Sequence, residues 1–191
     1  MTTSTARTYG FTQAEWNEAH TWHEFLSRVE KKRDLWESAV RRAEVSDVAA
    51  ARLQALPGKR RVLVLVEDWC GDAARSIPPL AKALEASPDV EVRYLDSDSH
   101  PNVLSRNLTH GGRAIPIVLV QDEHREHLGT WGPRPAALQA LVRARKLELG
   151  APTAETMATW YAPIMGWYGK DRGSSTIDEV LMLLERGGAP R

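Results

Sequence analysis

The stretch Glu67-Asp68-Trp69-Cys70-Gly71-Asp72-Ala73-Ala74 decides how this chain is read. Before it, residues 61–66 form a continuous β-branched and aliphatic run, the pattern of a strand buried on both faces. After it, residues 70–86 read as a helix with Pro78-Pro79 inside. An interior proline removes one hydrogen bond and crowds the preceding turn, so a kink is expected there. A strand that passes through a small-residue turn into a helix presents unpaired N–H groups and a partial positive charge, and both favour an anion. Cys70 is the only cysteine in the chain and stands at that junction. A thiolate is such an anion.

The elements on either side follow from local signals. Thr12-Gln13-Ala14-Glu15 has the form of a capping box, with Phe11 and Trp16 placed as a hydrophobic staple. Thr21-Trp22-His23-Glu24 repeats it. One helix is therefore expected to end near His20 and a longer one to run to about Ala43. Trp22, Phe25, Leu26, Val29, Leu35, Trp36 and Val40 form its buried stripe, and Lys31-Lys32-Arg33 a solvated turn of it. Ser46 or Asp47 can cap another helix through Leu56, stopped by Pro57-Gly58. Residues 90–95 read as a second strand. Residues 101–108 read as a short helix closed by Gly111-Gly112, with His110 near its C-terminus. Residues 115–120 form a third strand with a proline at its start, where it costs least. Residues 125–131 return as a hairpin partner, and 136–147 as an amphipathic helix. Past Pro152, helices are expected at 154–168 and 177–184, the second capped by Ser175-x-x-Asp178 and ended by Gly187-Gly188. From 47 to 148 the order is αβαβαββα, an α/β arrangement with a mixed central sheet flanked by helices. The expected organisation is an N-terminal helical extension (1–46), the α/β domain (47–148) and a C-terminal helical extension (149–191) packing on that domain.

The totals narrow the function. In 191 residues, Lys+Arg and Asp+Glu balance at 25 each, so no global field points to nucleic acid or an anionic membrane, and neither is expected as a partner. The longest apolar run, residues 62–66, is far short of a membrane span. The Thr/Ser-rich start is followed by no apolar segment of the secretory type. One cysteine allows no internal disulfide and fits a reducing compartment, so a cytoplasmic location is expected. Seven tryptophans, several of them in the two flanks, predict that both flanks dock. His20-x-x-His23 shares a helix face but has no third ligand in view, and His124 and His127 flank a polar turn. No metal site is expected.

Taken together, these residues resemble thioredoxin over about residues 53–147. Trp69-Cys70-Gly71 matches the active-site loop and Pro78 the proline that kinks the active-site helix. Asp98 and Pro101 match the start of the third helix, Pro116 the cis-proline facing the active site, and Gly132 the glycine ending the last strand. The chain is also similar to a bacterial thioredoxin-like group with Trp-Cys-Gly-Asp-Ala, added helices at both ends and Trp-Gly-Pro-Arg, here Trp131-Gly132-Pro133-Arg134. It departs from thioredoxin as well. Ala73 stands at the resolving cysteine, Val64 at the buried carboxylate, Tyr94 at the lysine paired with that acid, and Asp72 at the intervening proline. No strand is visible before residue 47. Nothing after Pro116 resembles the glutathione-binding elements of glutaredoxins.

The resemblance implies a thiol–disulfide oxidoreductase, and the missing second thiol restricts it to a monothiol route through Cys70. An external thiol must then resolve each mixed disulfide. A low-molecular-weight thiol such as glutathione or bacillithiol is the implied co-substrate, and no other cofactor is expected. Protein thiols and disulfides or extended peptides are the implied partners. Trp69, Gly71, Asp72, Ile115, Pro116 and Trp131 are the implied substrate-binding residues, with Trp69, the Ile115 backbone and Trp131 framing a shallow apolar groove. Backbone just before a cis-proline can pair with an extended chain by strand addition. The helix start should lower the Cys70 pKa, and the Asp72 carboxylate should raise it. Sequence leaves the net direction open. The loss of the second thiol and of the buried acid supports an alternative, a non-redox thioredoxin-fold module that binds proteins or peptides.

Overall fold

The run of valines and leucines before the motif becomes the centre of a four-stranded sheet. The computed structural model describes residues 10–109 and 111–186, so the expectations for His110 and for Gly187-Gly188 lie outside the described residues. The strands are β1 (Arg60–Val66), β2 (Val90–Asp96), β3 (Ile117–Asp122) and β4 (His127–Trp131), in the order β2-β1-β3-β4. β1 and β2 are parallel, while β3 runs antiparallel to both β1 and β4. Side chains alternate across a strand, and the core divides accordingly. Val62, Val64, Val66, Val118 and Val120 share one cluster, and Leu63, Leu65, Ile117 and Leu119 the other.

Helices cover both faces: α1 (Gln13–Glu18), α2 (Trp22–Ser27), α3 (Arg33–Arg42), α4 (Asp47–Gln54), α5 (Ala73–Glu85), α6 (Pro101–Arg106), α7 (Ala136–Leu149), α8 (Met157–Asp171) and α9 (Ser174–Leu184). α5 continues through Pro78 and Pro79. It packs its apolar face with α3 and α9 on the valine side of the sheet, whereas α1 and α6 serve the leucine side. Leu138, Trp160, Ile164 and Tyr168 form a smaller cluster between α7 and α8. Among the described residues no helix is long and apolar enough to cross a membrane.

Both N-terminal capping boxes form, on Thr12 with Glu15 and on Thr21 with Glu24. Phe11 stacks on Trp16 with ring centroids 5.4 Å apart. The single long helix expected from Thr21 to Ala43 does not. α2 ends at Ser27, and α3 begins after Lys32, whose φ is 52°. The break has a tertiary cause: the Glu30 and Lys31 N–H groups donate to the Asp68 carboxylate at 3.0 and 2.8 Å. The Ser175 cap is also corrected. α9 starts behind Gly173 with no side-chain cap, and the Ser175 hydroxyl turns back to Asp171, whose carboxylate also accepts the Ser175 N–H. Gly173 has φ +89°, and a Cβ there would lie 2.5 Å from the Pro79 ring, so α9 begins pressed against α5.

Two further contacts tie the extensions to the sheet. Arg60, buried at the start of β1, donates through Nε to the Leu184 carbonyl at 2.7 Å and through Nη2 to that of Arg186 at 3.1 Å. A cation at a helix C-terminus meets carbonyls that lack intrahelical partners. At the β2 edge of the sheet His20 forms a two-bond antiparallel bridge with Tyr94, both bonds 2.8 Å.

Candidate active site

Cys70 occupies the turn between β1 and α5. Its N–H donates to the Glu67 carbonyl at 3.1 Å, and its carbonyl accepts the Ala74 N–H at 3.0 Å. The thiol is therefore presented by the backbone of the turn, three residues before α5 begins at Ala73. Its sulfur accepts the Ala73 N–H at 3.5 Å and donates to the Ile115 carbonyl at 3.5 Å. The Ile115–Pro116 peptide bond is cis, as is Gly132–Pro133. Gly132 has φ +127°, and a Cβ there would lie 2.2 Å from the Pro116 carbonyl oxygen, so only glycine allows the two segments to approach so closely.

The residue is 7% exposed, and its pKa moves up. Burial is the first cause. The Ala73 N–H opposes it, the Asp72 charge adds to it, and the Asp72 N–H and the Arg134 charge pull the other way. The direction that sequence leaves open is thus set by desolvation, with the helix start too weak to reverse it.

Asp72 sits at the N-terminal boundary of α5 but makes no side-chain cap there. Its carboxylate instead accepts the Tyr168 hydroxyl at 2.8 Å and pairs with Arg134 at 2.5 Å. Arg75 closes the same corner, donating to the Gly71 carbonyl at 2.7 Å and lying 5.8 Å from the Tyr168 ring centroid. Burial, and then Asp72, push the Tyr168 phenol well up, so it stays a neutral donor. The two short motifs at residues 69–73 and 131–134 thus meet through one ion pair beside the sulfur. Their opposite charges were a signal for that pairing. Tyr168, on α8, carried no such signal.

The other acids flanking Cys70 have structural partners. Glu67 accepts the Ser97 hydroxyl at 3.0 Å and the Asp98 N–H at 2.7 Å, and burial raises its carboxyl pKa despite them. Asp68 holds the turn before α3, and its carbonyl accepts the Trp36 indole N–H at 2.8 Å.

Trp69 is 41% exposed, and its indole N–H points to Asp98 at 3.3 Å. Between Trp69, Pro101 and Ile115 lies a groove of about 260 Å³, bordered also by Asp98 and Arg113. Trp131 is not one of its walls. It is buried in the core cluster that also holds Cys70, and its indole N–H donates to Glu179 of α9 at 2.7 Å. An indole needs a partner for its N–H when buried, and Glu179 supplies one behind the site. Of the residues expected to bind substrate, Trp69 and Ile115 therefore line the groove, Pro116 follows Ile115 as the cis-proline, and Gly71 and Asp72 form the corner held by Arg75, Tyr168 and Arg134.

A family model described as thioredoxin matches residues 19–149. Among solved structures, the chain is similar to a protein of unknown function from Pseudomonas aeruginosa, with a TM-score of 0.68 and 23% identity over 92% of this chain and 98% of that one. It is also similar to an HIV epitope-scaffold, with a TM-score of 0.65 and 24% identity over 94% of this chain and 100% of that one. No curated protein matches. At these identities the two structures speak to the fold alone.

Proposed function

The chain belongs to the thioredoxin family, and from that premise we propose that it is a monothiol thiol–disulfide exchange protein acting through Cys70. The observation that carries this reading is the position of the sulfur, between the Ala73 N–H and the Ile115 carbonyl before a cis-proline, next to a groove walled by the exposed Trp69. The Cys70 thiol first loses its proton to solvent. The thiolate then attacks a disulfide R–S–S–R′, forming a bond to the R sulfur and releasing R′S⁻. Ala73 offers no second thiol, so an external thiolate must attack the mixed disulfide, restore the Cys70 thiolate and carry R away as a new disulfide. Glutathione or bacillithiol is the proposed external thiol, and protein disulfides or extended peptides the proposed substrates. An extended substrate would pair with the backbone at Ile115 by strand addition. Such exchange suits a reducing cytoplasm, where a single free thiol persists.

The raised thiol pKa makes the exchange slow near neutrality and faster in alkali, because the thiolate is the nucleophile. The same burial favours a second reading, in which the groove binds extended peptides and Cys70 is a core residue. Intact-mass measurement after exposure to oxidised glutathione and oxidised bacillithiol, from neutral to alkaline pH, separates the two. A single adduct that is absent in Cys70→Ala is the expected result. If no adduct forms at any pH while the Cys70→Ala variant still binds extended peptides, the exchange reading fails and the binding module stands.

A further inference from the structure

A second and larger cavity, about 410 Å³, opens between α3, α5 and α8, elements drawn from both extensions and from the helix that follows Cys70. Its volume lies in the usual range of small-molecule sites, about 300–1,000 Å³. Leu35 of α3, Pro79 of α5 and Met165 of α8 give it an apolar floor. Three arginines, Arg42, Arg75 and Arg172, line it, and among the described residues no acidic side chain does. Among the described residues Arg42 has no ion-pair partner. Arg172 has only Glu44 at 3.8 Å, an exposed pair that screening makes weak. Arg75 uses one nitrogen on the Gly71 carbonyl. Lys32 adds to the field, since its Nζ and Arg75 Nη1 both come close to Gly71.

Like charges gathered with only a weak, exposed counter-charge repel one another, and a bound anion relieves that repulsion. Arginine forks match a carboxylate or phosphate in geometry as well as in charge. The floor asks for the opposite, an apolar body that water solvates poorly. We propose that this cleft binds an amphipathic organic anion, with its carboxylate or phosphate head among Arg42, Arg75 and Arg172 and its apolar body on Leu35, Pro79 and Met165. The cleft wall also includes Tyr168, the donor to Asp72. Bound anion therefore touches two of the side chains that hold the Cys70 loop. The site is independent of whether Cys70 turns over.

Calorimetric titration of the full chain with decanoate, decyl phosphate, 1-decanol and inorganic phosphate tests it. Saturable one-to-one binding of decanoate or decyl phosphate is expected, with the tighter of the two identifying the head group. Decanol and inorganic phosphate should each bind at least tenfold more weakly. Arg42 and Arg172 are exposed, so the double variant Arg42→Gln/Arg172→Gln should keep its melting temperature and lose at least tenfold in affinity for the amphiphile. Met165→Trp fills the floor and should do the same; if it fails to fold, the arginine variant decides alone. The proposal is overturned if neither amphiphile saturates, if decanol or bare phosphate binds as tightly, or if the double variant binds like wild type.

Discussion

The two helical extensions hold the same loop at two aspartates, one on each side of Cys70, and they use different chemistry. Asp68 is held mainly by the backbone. Its carboxylate takes the N–H groups of Glu30 and Lys31, and its carbonyl takes the indole N–H of the fully buried Trp36. The Asp72 carboxylate is held by side chains alone, the Tyr168 hydroxyl and the Arg134 guanidinium, while its carbonyl opens α5 by accepting the Arg75 and Ser76 N–H groups. The Asp72 and Arg134 charges both act on the thiol proton, in opposite directions. The N-terminal extension thus sets where the loop is, while the Asp72–Arg134 pair adjusts a thiol pKa whose direction burial sets.

Substitutions on each side can break that division of labour. Trp36→Ala should do most damage, since removing a fully buried tryptophan costs about 3–5 kcal/mol; denaturant unfolding reads it. Asp68→Ala should cost about 1.5–3 kcal/mol through the hydrogen bonds to a charged group that it removes, while the pH profile of Cys70 alkylation stays where it was. A shifted profile in this variant would erase the distinction between the two sides. Asp72→Asn should cost less, about 1 kcal/mol, yet move the profile to lower pH. It removes a charge that raises the thiol pKa and leaves the opposing Arg134 charge in place, so alkylation at neutral pH speeds up. No change in rate would show that Asp72 holds the loop without tuning the sulfur.

The smallest effect is a linkage. The folded-state pKa of Cys70 lies above its unfolded value, so the folded state holds this proton more tightly. The stability this contributes is fully present below the unfolded pKa and is lost as pH rises through the folded one. Melting curves of wild type should therefore fall off in that alkaline window more than those of Cys70→Ala.

What could be read from sequence was what neighbours in sequence decide. The apolar run of β1, the Pro78-Pro79 pair within α5 and the reciprocal caps at Thr12 and Thr21 all carry their cause within a few residues. The break between α2 and α3 carries none. No glycine or proline marks it, and the Asp68 carboxylate that draws off its N–H groups comes from the far side of α4 and β1. Ser175 had the spacing of a cap, but Asp171 took its hydroxyl, and Gly173 could start α9 without it. Trp131 is expected as a groove wall on the strength of the resemblance. Its place in the core depends on Glu179, which a later helix brings to it. Each half of the Asp72–Arg134 pair was visible as a motif, and only the fold joins them.

The bridge between His20 and Tyr94 has a consequence for how the molecule meets copies of itself. β2 is an outer strand, and an outer strand with open donors and acceptors is a template for another chain. Here the N–H and the carbonyl of Tyr94 are already taken by His20. The added segment cannot pass the template on, because Thr21 caps a helix at the next residue. At the other edge α9 packs against β4. The N-terminal extension acts as a stopper, ending the sheet after one residue and discouraging edge-to-edge aggregation.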